Sequence, residues 1–190
     1  NDPVHKFIPE LKSLKIAITK DSLVDAKNKI TIKHLLTHTS GLSYGWSRQP
    51  ADSFYRQADI FNSESSDDFI KKVSELPLGF EPGSKYNYSI STDILGILIE
   101  RITGLSLSDY LEKNIFKPLG MVDTFFQVPT KKASRFLPNH AYDRLTNEIN
   151  TIDSGKYEDS KKIEGSTMRN YYDVKMYSGG GGLVSTAYDY

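Results

Sequence analysis

Apolar residues recur every three or four positions over several stretches of the chain, and each stretch is bracketed by residues that start or stop helices. Thr31 caps a helix predicted over Ile32 to His38, where Ile32, Leu35 and Leu36 form one stripe and Ser40-Gly41 is the stop. Ser65 with Asp68 makes a capping-box signature ahead of FIKKVSEL, a helix that Pro77 ends. The longest pattern runs from about Ser91 to Thr103. Ile94, Leu95, Leu98 and Ile102 share one face there, and Gly104 stands where a left-handed cap is wanted. Another helix follows at once: Ser106 and Asp109 repeat the capping box, Tyr110, Leu111 and Ile115 supply its buried side, and Pro118 closes it.

Alternation with a period of two is scarcer. Leu14 to Thr19 alternates and pairs with a partner near Ser22 to Val24, while Thr124 to Val128 and Asn139 to Tyr142 read as further short strands. From Asn147 to Asn170 the chain is polar, with Asp153-Ser154-Gly155 as its clearest turn, which predicts a long loop or a weak hairpin. The pattern as a whole predicts a mainly α fold with short β-hairpins. No internal repeat and no linker divides residues 1–190, so one domain is expected.

Charge and composition narrow the function classes. Lys plus Arg number 24 and Asp plus Glu number 24, so no net field draws the chain to nucleic acid or to an acidic membrane, and no nucleic-acid partner is expected. Twelve Tyr and nine Phe argue for a folded globular chain. The absence of cysteine removes disulfides, thiolate zinc sites and a cysteine nucleophile together. The longest aliphatic run, Ile94 to Ile99, is far below the ~18 residues of a membrane-spanning helix. The first residues, NDPVHKFIPE, have neither a basic start nor an apolar signal core, so any export signal is expected to have been removed or to lie upstream of them.

Several local patterns suggest chemistry, each with a bland alternative. Gly41-Leu42-Ser43-Tyr44-Gly45 spells G-x-S-x-G, but a nucleophile elbow needs a strand before the serine and a helix after it. Here a helical pattern precedes Gly41 and the polar WSRQPADS follows Gly45, which favours a helix stop and a loop. His34 and His38 lie four apart, as a zinc pair on one helix face would. The residue after His34 is Leu35 and not the glutamate base of a zinc hydrolase, so helix-end contacts for His38 and a filler role for His34 are favoured and no metal is assigned. Gly179 to Gly182 precede LVSTA, which lacks the lysine of a phosphate loop; the glycines fit a close backbone approach before a helix capped by Ser185 or Thr186. Asp67-Asp68 fall in a first helical turn, where the macrodipole accounts for them.

Taken together, NDPVHKFIPE, ITIKHLLTHTSGL (30–42), FEPGSKYNYSISTDILGILIERITG (80–104), YLEKNIFKPLGMVDTFF (110–126) and SGGGGLVSTAYDY (178–190) resemble the serine β-lactamase, DD-peptidase and esterase superfamily in its class C-like branch. The likeness touches nearly the whole chain. It implies the helical lobe of the β-lactamase/transpeptidase-like α+β fold, an extracytoplasmic setting, no cofactor and a small-molecule acyl substrate for the parent enzyme. Such enzymes use a Ser-x-x-Lys, a Tyr-x-Asn or variant, and a Lys-Thr-Gly or His-x-Gly. No Ser-x-x-Lys occurs in the 190 residues. The resemblance implies that the first motif lies before Asn1 and the third after Tyr190, making this chain an excised lobe that is itself inactive and able to self-associate through the face the absent lobe would cover.

The middle motif places the family's proton-relaying tyrosine at Tyr88, in Tyr88-Ser89-Ile90; an ordinary aromatic wedge is the equal alternative. Ile90 departs from the usual asparagine, and its side chain can make no hydrogen bond. The YS-x-x-x-D-x-LG wording is similar to the esterase-type members. Tyr44 and Trp46, after HTSGL, are candidates for apolar substrate contacts or for aromatic packing. Two other classes stay open: a non-catalytic helical binding module, and a zinc hydrolase using His34 and His38.

Overall fold

The computed structural model describes residues 1–151 and 171–190; the expected turn at Asp153-Ser154-Gly155 lies outside them. The chain forms two compact units, one of residues 1–119 and 175–182, the other of residues 120–174 and 183–190. Among the described residues no helix is long and apolar enough to cross a membrane.

The larger unit starts with two 3-10 turns, Val4–Lys6 and Pro9–Leu11, whose Val4, Ile8 and Leu11 enter the core. The antiparallel hairpin of β1 (Lys15–Thr19) and β2 (Ser22–Asp25) pairs Ile16 with Val24 and Ala17 with Leu23. Leu78 lies alongside β1, donating to Lys15 O and accepting from Ala17 N, so Ile16 and Ala17 are both buried instead of alternating.

Helix α1 (Ile32–Leu36) opens at Thr31, whose Oγ1 accepts from His34 N at 3.2 Å while His34 Nδ1 accepts from Thr31 N at 3.3 Å. This is a capping box with histidine where glutamate is usual. The helix stops two residues earlier than the pattern predicts, because His38 takes a left-handed φ of 52°. A short α2 (Asp52–Gln57) follows. In α3 (Ser66–Ser74), Ser65 Oγ accepts from Asp68 N, and Phe69, Ile70 and Val73 turn inward. Clustered with Leu35, Leu42, Ile90, Ile94, Ile97 and the first turns, these residues make one continuous core, the burial that holds such a unit together.

Helix α4 (Ser91–Thr103) has the predicted limits, and Gly104 ends it with φ 70°. Its buried face differs from the apolar stripe. Ile94, Ile97 and Leu98 are buried together with Ser91, Asp93 and Gly96, whereas Ile102 is exposed. The physical reason is the returning segment 175–182. Gly179 lies so close that a Cβ on it would stand 2.4 Å from Thr92 O, with Gly96 as its other neighbour. Small and polar positions therefore belong to the inner face.

Helix α5 (Leu107–Leu111) is capped by Ser106 as expected, but Leu107 and Phe116 are buried and Ile115 is exposed. A π-helical turn over Glu112–Phe116 carries an extra residue per turn and moves the inward face from Ile115 to Phe116. Nor does Pro118 close the helix. It sits inside the last helical turn, Lys117–Leu119, and the run ends one residue later at Gly120, with φ 70°.

In the smaller unit β3 (His140–Asp143) pairs antiparallel with β4 (Glu148–Thr151), joined by a turn in which Asn147 has φ 60°. The beginning of the polar stretch thus supplies the second strand of a hairpin. Thr124 to Val128 is not a strand but makes a single bridge, Phe125 to Val184, with Phe126 and Val128 buried. Phe136 meets Tyr171 and Tyr172 edge-on. Asp123 accepts from Arg135 and Lys132, and these hydrogen bonds hold its carboxyl down to about 2. After the bridge, Asp189 N donates to Thr186 Oγ1 in a turn, where the sequence predicts a capped helix.

Candidate active site

Tyr88 stands three residues before α4, in a loop tied down on both sides. Asn87 N donates to His38 O at 2.8 Å, and Ser89 N donates to His38 Nδ1 at 3.3 Å. Behind the loop, Ser89 Oγ and Ser40 Oγ each pair with Ser91 Oγ at 2.8 Å, a buried hydroxyl chain that joins the α1 exit to the α4 entry. Ile90, fully buried, anchors the turn in the core. Its side chain points away from solvent, which explains why a residue without hydrogen-bonding atoms occupies the third place of the motif. Tyr88 remains 53% exposed, its ring flanked by His38 at 4.9 Å and Tyr44 at 5.4 Å between centroids.

Tyr44 and Trp46 come to the same place. The two rings stack at 5.0 Å and 17°, and Tyr44 continues the stack onto Phe61 at 6.0 Å and 23°. Tyr44 OH donates to Asp93 Oδ2 at 3.2 Å. Asp93 is buried in the first turn of α4, where the helix N-terminus favours a carboxylate. Its Oδ1 also accepts from Ser178 Oγ and from Gly180 N. One carboxylate thus fixes the phenol of Tyr44 and the glycine run together. A side chain at Gly180 would collide with both, its Cβ lying 2.6 Å from Asp93 Oδ2 and 2.7 Å from Tyr44 OH.

Ser43 lies under this surface and not on it. Only 1% exposed, its Oγ donates to Asp52 Oδ1 at 2.5 Å and accepts from Gly45 N at 2.9 Å. The glycines around it serve the backbone: Gly41 has φ 85° with Phe80 O 2.4 Å from where a Cβ would be, and Gly45 has φ 87°. The G-x-S-x-G match is a tight, buried turn.

His34 and His38 do not share a helix face, since α1 ends at Leu36 and His38 leaves the helical conformation. Each uses Nδ1 to accept a backbone N–H, His34 from Thr31 and His38 from Ser89, so His38 meets an amide and not the helix-end carbonyls. Burial pulls both imidazoles below their usual range, with Lys33 adding to the effect on His34. Among the described residues no group of three or more His, Asp or Glu is arranged to hold a metal ion.

Asn87, Ser47 and Asp93 escape a reading of the sequence. Asn87 Nδ2 donates to Leu42 O at 2.9 Å and its Oδ1 accepts from Ser47 Oγ at 2.5 Å, pinning the loop that carries Trp46. For Asp93 a signal exists: with Ile90, Ile94 and Ile97 it falls on the inward side of α4, where an acid needs partners.

The whole length of the chain, residues 1–190, matches the Beta-lactamase family model. The chain belongs to that family. It is 37% identical over 129 residues to esterase EstB of Burkholderia gladioli, covering 65% of this chain and 31% of that protein. A putative D-alanyl-D-alanine carboxypeptidase of Salmonella typhimurium is 30% identical over 203 residues, covering all of this chain and 42% of the relative. Among solved structures, unliganded simvastatin synthase (LovD) from Aspergillus terreus superposes with a TM-score of 0.74 at 27% identity, over 97% of this chain and 44% of that one. The chain therefore spans less than half the length of each of these three proteins.

Proposed function

We propose that this chain is the part of an ester-cleaving serine hydrolase that carries the proton-relaying phenol and one wall of the substrate site. Tyr88 is the proton carrier, and Tyr44 and Trp46 face a small acyl substrate. The observation that carries the reading is the exposed Tyr88 phenol, on a loop immobilised by His38, Ser89 and Ile90, beside an open aromatic surface. In the reaction a serine Oγ attacks the ester carbonyl carbon, the alcohol leaves with a proton delivered through the phenol, and water then cleaves the acyl-serine. The relatives named for esterase and carboxypeptidase activity support a hydrolytic role, and the YS-x-x-x-D-x-LG stretch favours esters.

None of the serines within the 190 residues begins a Ser-x-x-Lys, and Ser43 is buried against a carboxylate. The 190-residue polypeptide by itself is therefore assigned no hydrolytic activity, because nucleophile, base and oxyanion donors act as a unit. Incubation with a fluorophosphonate should leave its intact mass unchanged. A stoichiometric adduct on Ser43, or on any other serine of the chain, would overturn the assignment. In a protein that joins this chain to a Ser-x-x-Lys helix, Tyr88→Phe should lower kcat by about 10²- to 10⁴-fold with KM little changed; an unaltered kcat would remove Tyr88 from the mechanism.

A further inference from the structure

Trp46 is the single tryptophan of the chain, and 73% of it is exposed although it is held in place. One face rests on Tyr44 in a near-parallel stack, and Tyr44 in turn lies on Phe61. The supports are fixed: Tyr44 by its bond to Asp93, and the Trp46 loop by Gly45 at φ 87° and by the bond from Ser47 to Asn87. Arg56 Nη1 donates to Gly45 O at 2.6 Å and braces the same turn. A large apolar ring kept in water by this much local structure is a surface built to be covered.

The stacking angles select what covers it. Aromatic cages for quaternary ammonium groups set rings around the cation on several sides, whereas Trp46, Tyr44 and Phe61 follow one another in a near-parallel stack, at 17° and 23°, with Trp46 its most exposed member. The negative face of a π-system repels a carboxylate and accepts another ring in offset contact. We infer that the stacked Tyr44–Trp46 shelf binds a planar, uncharged aromatic group, so that the favoured substrates of the site are neutral esters with an aryl acyl or aryl alcohol part, in preference to carboxylate-bearing lactams or peptides. This assignment of substrate class rests on the reading of Tyr88 and its neighbourhood as an esterase site, but ring binding itself needs no catalysis.

Trp46 fluorescence reports the shelf directly in the 190-residue chain. The probes are p-nitrobenzamide, p-nitrobenzoate with the same ring and a carboxylate, and two silent competitors, cyclohexanecarboxamide and tetramethylammonium. The neutral nitroarene should quench Trp46 saturably, p-nitrobenzoate should bind about tenfold more weakly, and neither competitor should displace the amide. Tyr44→Leu should weaken the amide by about 2- to 10-fold, the range of one lost aromatic pair. The far-ultraviolet ellipticity of Tyr44→Leu, expected to match that of the unaltered chain, tells loss of the stack apart from a general loss of folding. Equal binding of amide and carboxylate, displacement by tetramethylammonium, or unchanged affinity in Tyr44→Leu would each overturn the inference. Because quenching and fluorophosphonate labelling are separate readouts, a failed shelf leaves the hydrolase reading intact, and a failed hydrolase reading leaves the shelf.

Discussion

Ser43 shows how a residue that looks chemical can be wholly architectural. Its hydroxyl satisfies Asp52, whose other oxygen accepts from Gln49 N at 3.1 Å, so Ser43→Ala strips a buried carboxylate of one of its donors. The expected cost is about 1.5–3 kcal/mol, the range for a hydrogen bond to a charged group, read as a lower urea midpoint at unchanged m-value. His38 makes a second residue-scale prediction. Burial depresses its imidazole, so the unfolded chain takes up the proton first. Its contribution to stability is complete above the ordinary value of about 6.5 and is lost as pH falls from there through the depressed folded value. Thermal melts between pH 5 and 8 should show the melting temperature falling on the acid side, and less steeply in His38→Asn, which tolerates the left-handed backbone and does not titrate. At this scale the sequence showed Tyr88, Tyr44 and Trp46 as candidates and the structure brings all three together. It did not show what Asp93 and Asn87 do, because their partners lie dozens of positions away.

Single elements were legible where their signals are local. The α4 limits, the Ser65 and Ser106 caps and the β1–β2 pairing all follow from nearest-neighbour chemistry. The inward faces of α4 and α5 did not, because the returning segment 175–182 and the π-helical turn reset which side is buried. Two glycines make the distinction measurable. Gly104 ends α4 with φ 70° and nothing within 4 Å of a Cβ, so Gly104→Ala should cost only the left-handed strain, about 1–2 kcal/mol. Gly179→Ala meets Thr92 O and the backbone of Gly96. Overpacking of about 1–3 kcal/mol is expected there, and Tyr44 should loosen with it through Ser178, Gly180 and Asp93. A red-shifted, more readily quenched Trp46 emission in Gly179→Ala, absent in Gly104→Ala, would separate the two.

At the scale of the molecule, Ile102, Leu105, Ile115 and Leu119 lie exposed along the end of α4 and the α5 segment. Apolar surface of this kind favours association, and sedimentation of the 190-residue chain should show a dimer that grows with concentration and is reduced by Leu119→Lys. The bond from Ser178 to Asp93 has another consequence, one of time. It joins positions 85 residues apart, so the chain must make its whole excursion through residues 120–174 before the glycine run can reach the inner side of α4. Closing so large a loop is entropically unfavourable and is repaid only by contacts made at the end. Refolding should thus proceed in order, helices early and the aromatic surface last, with the indole signal lagging behind far-ultraviolet ellipticity.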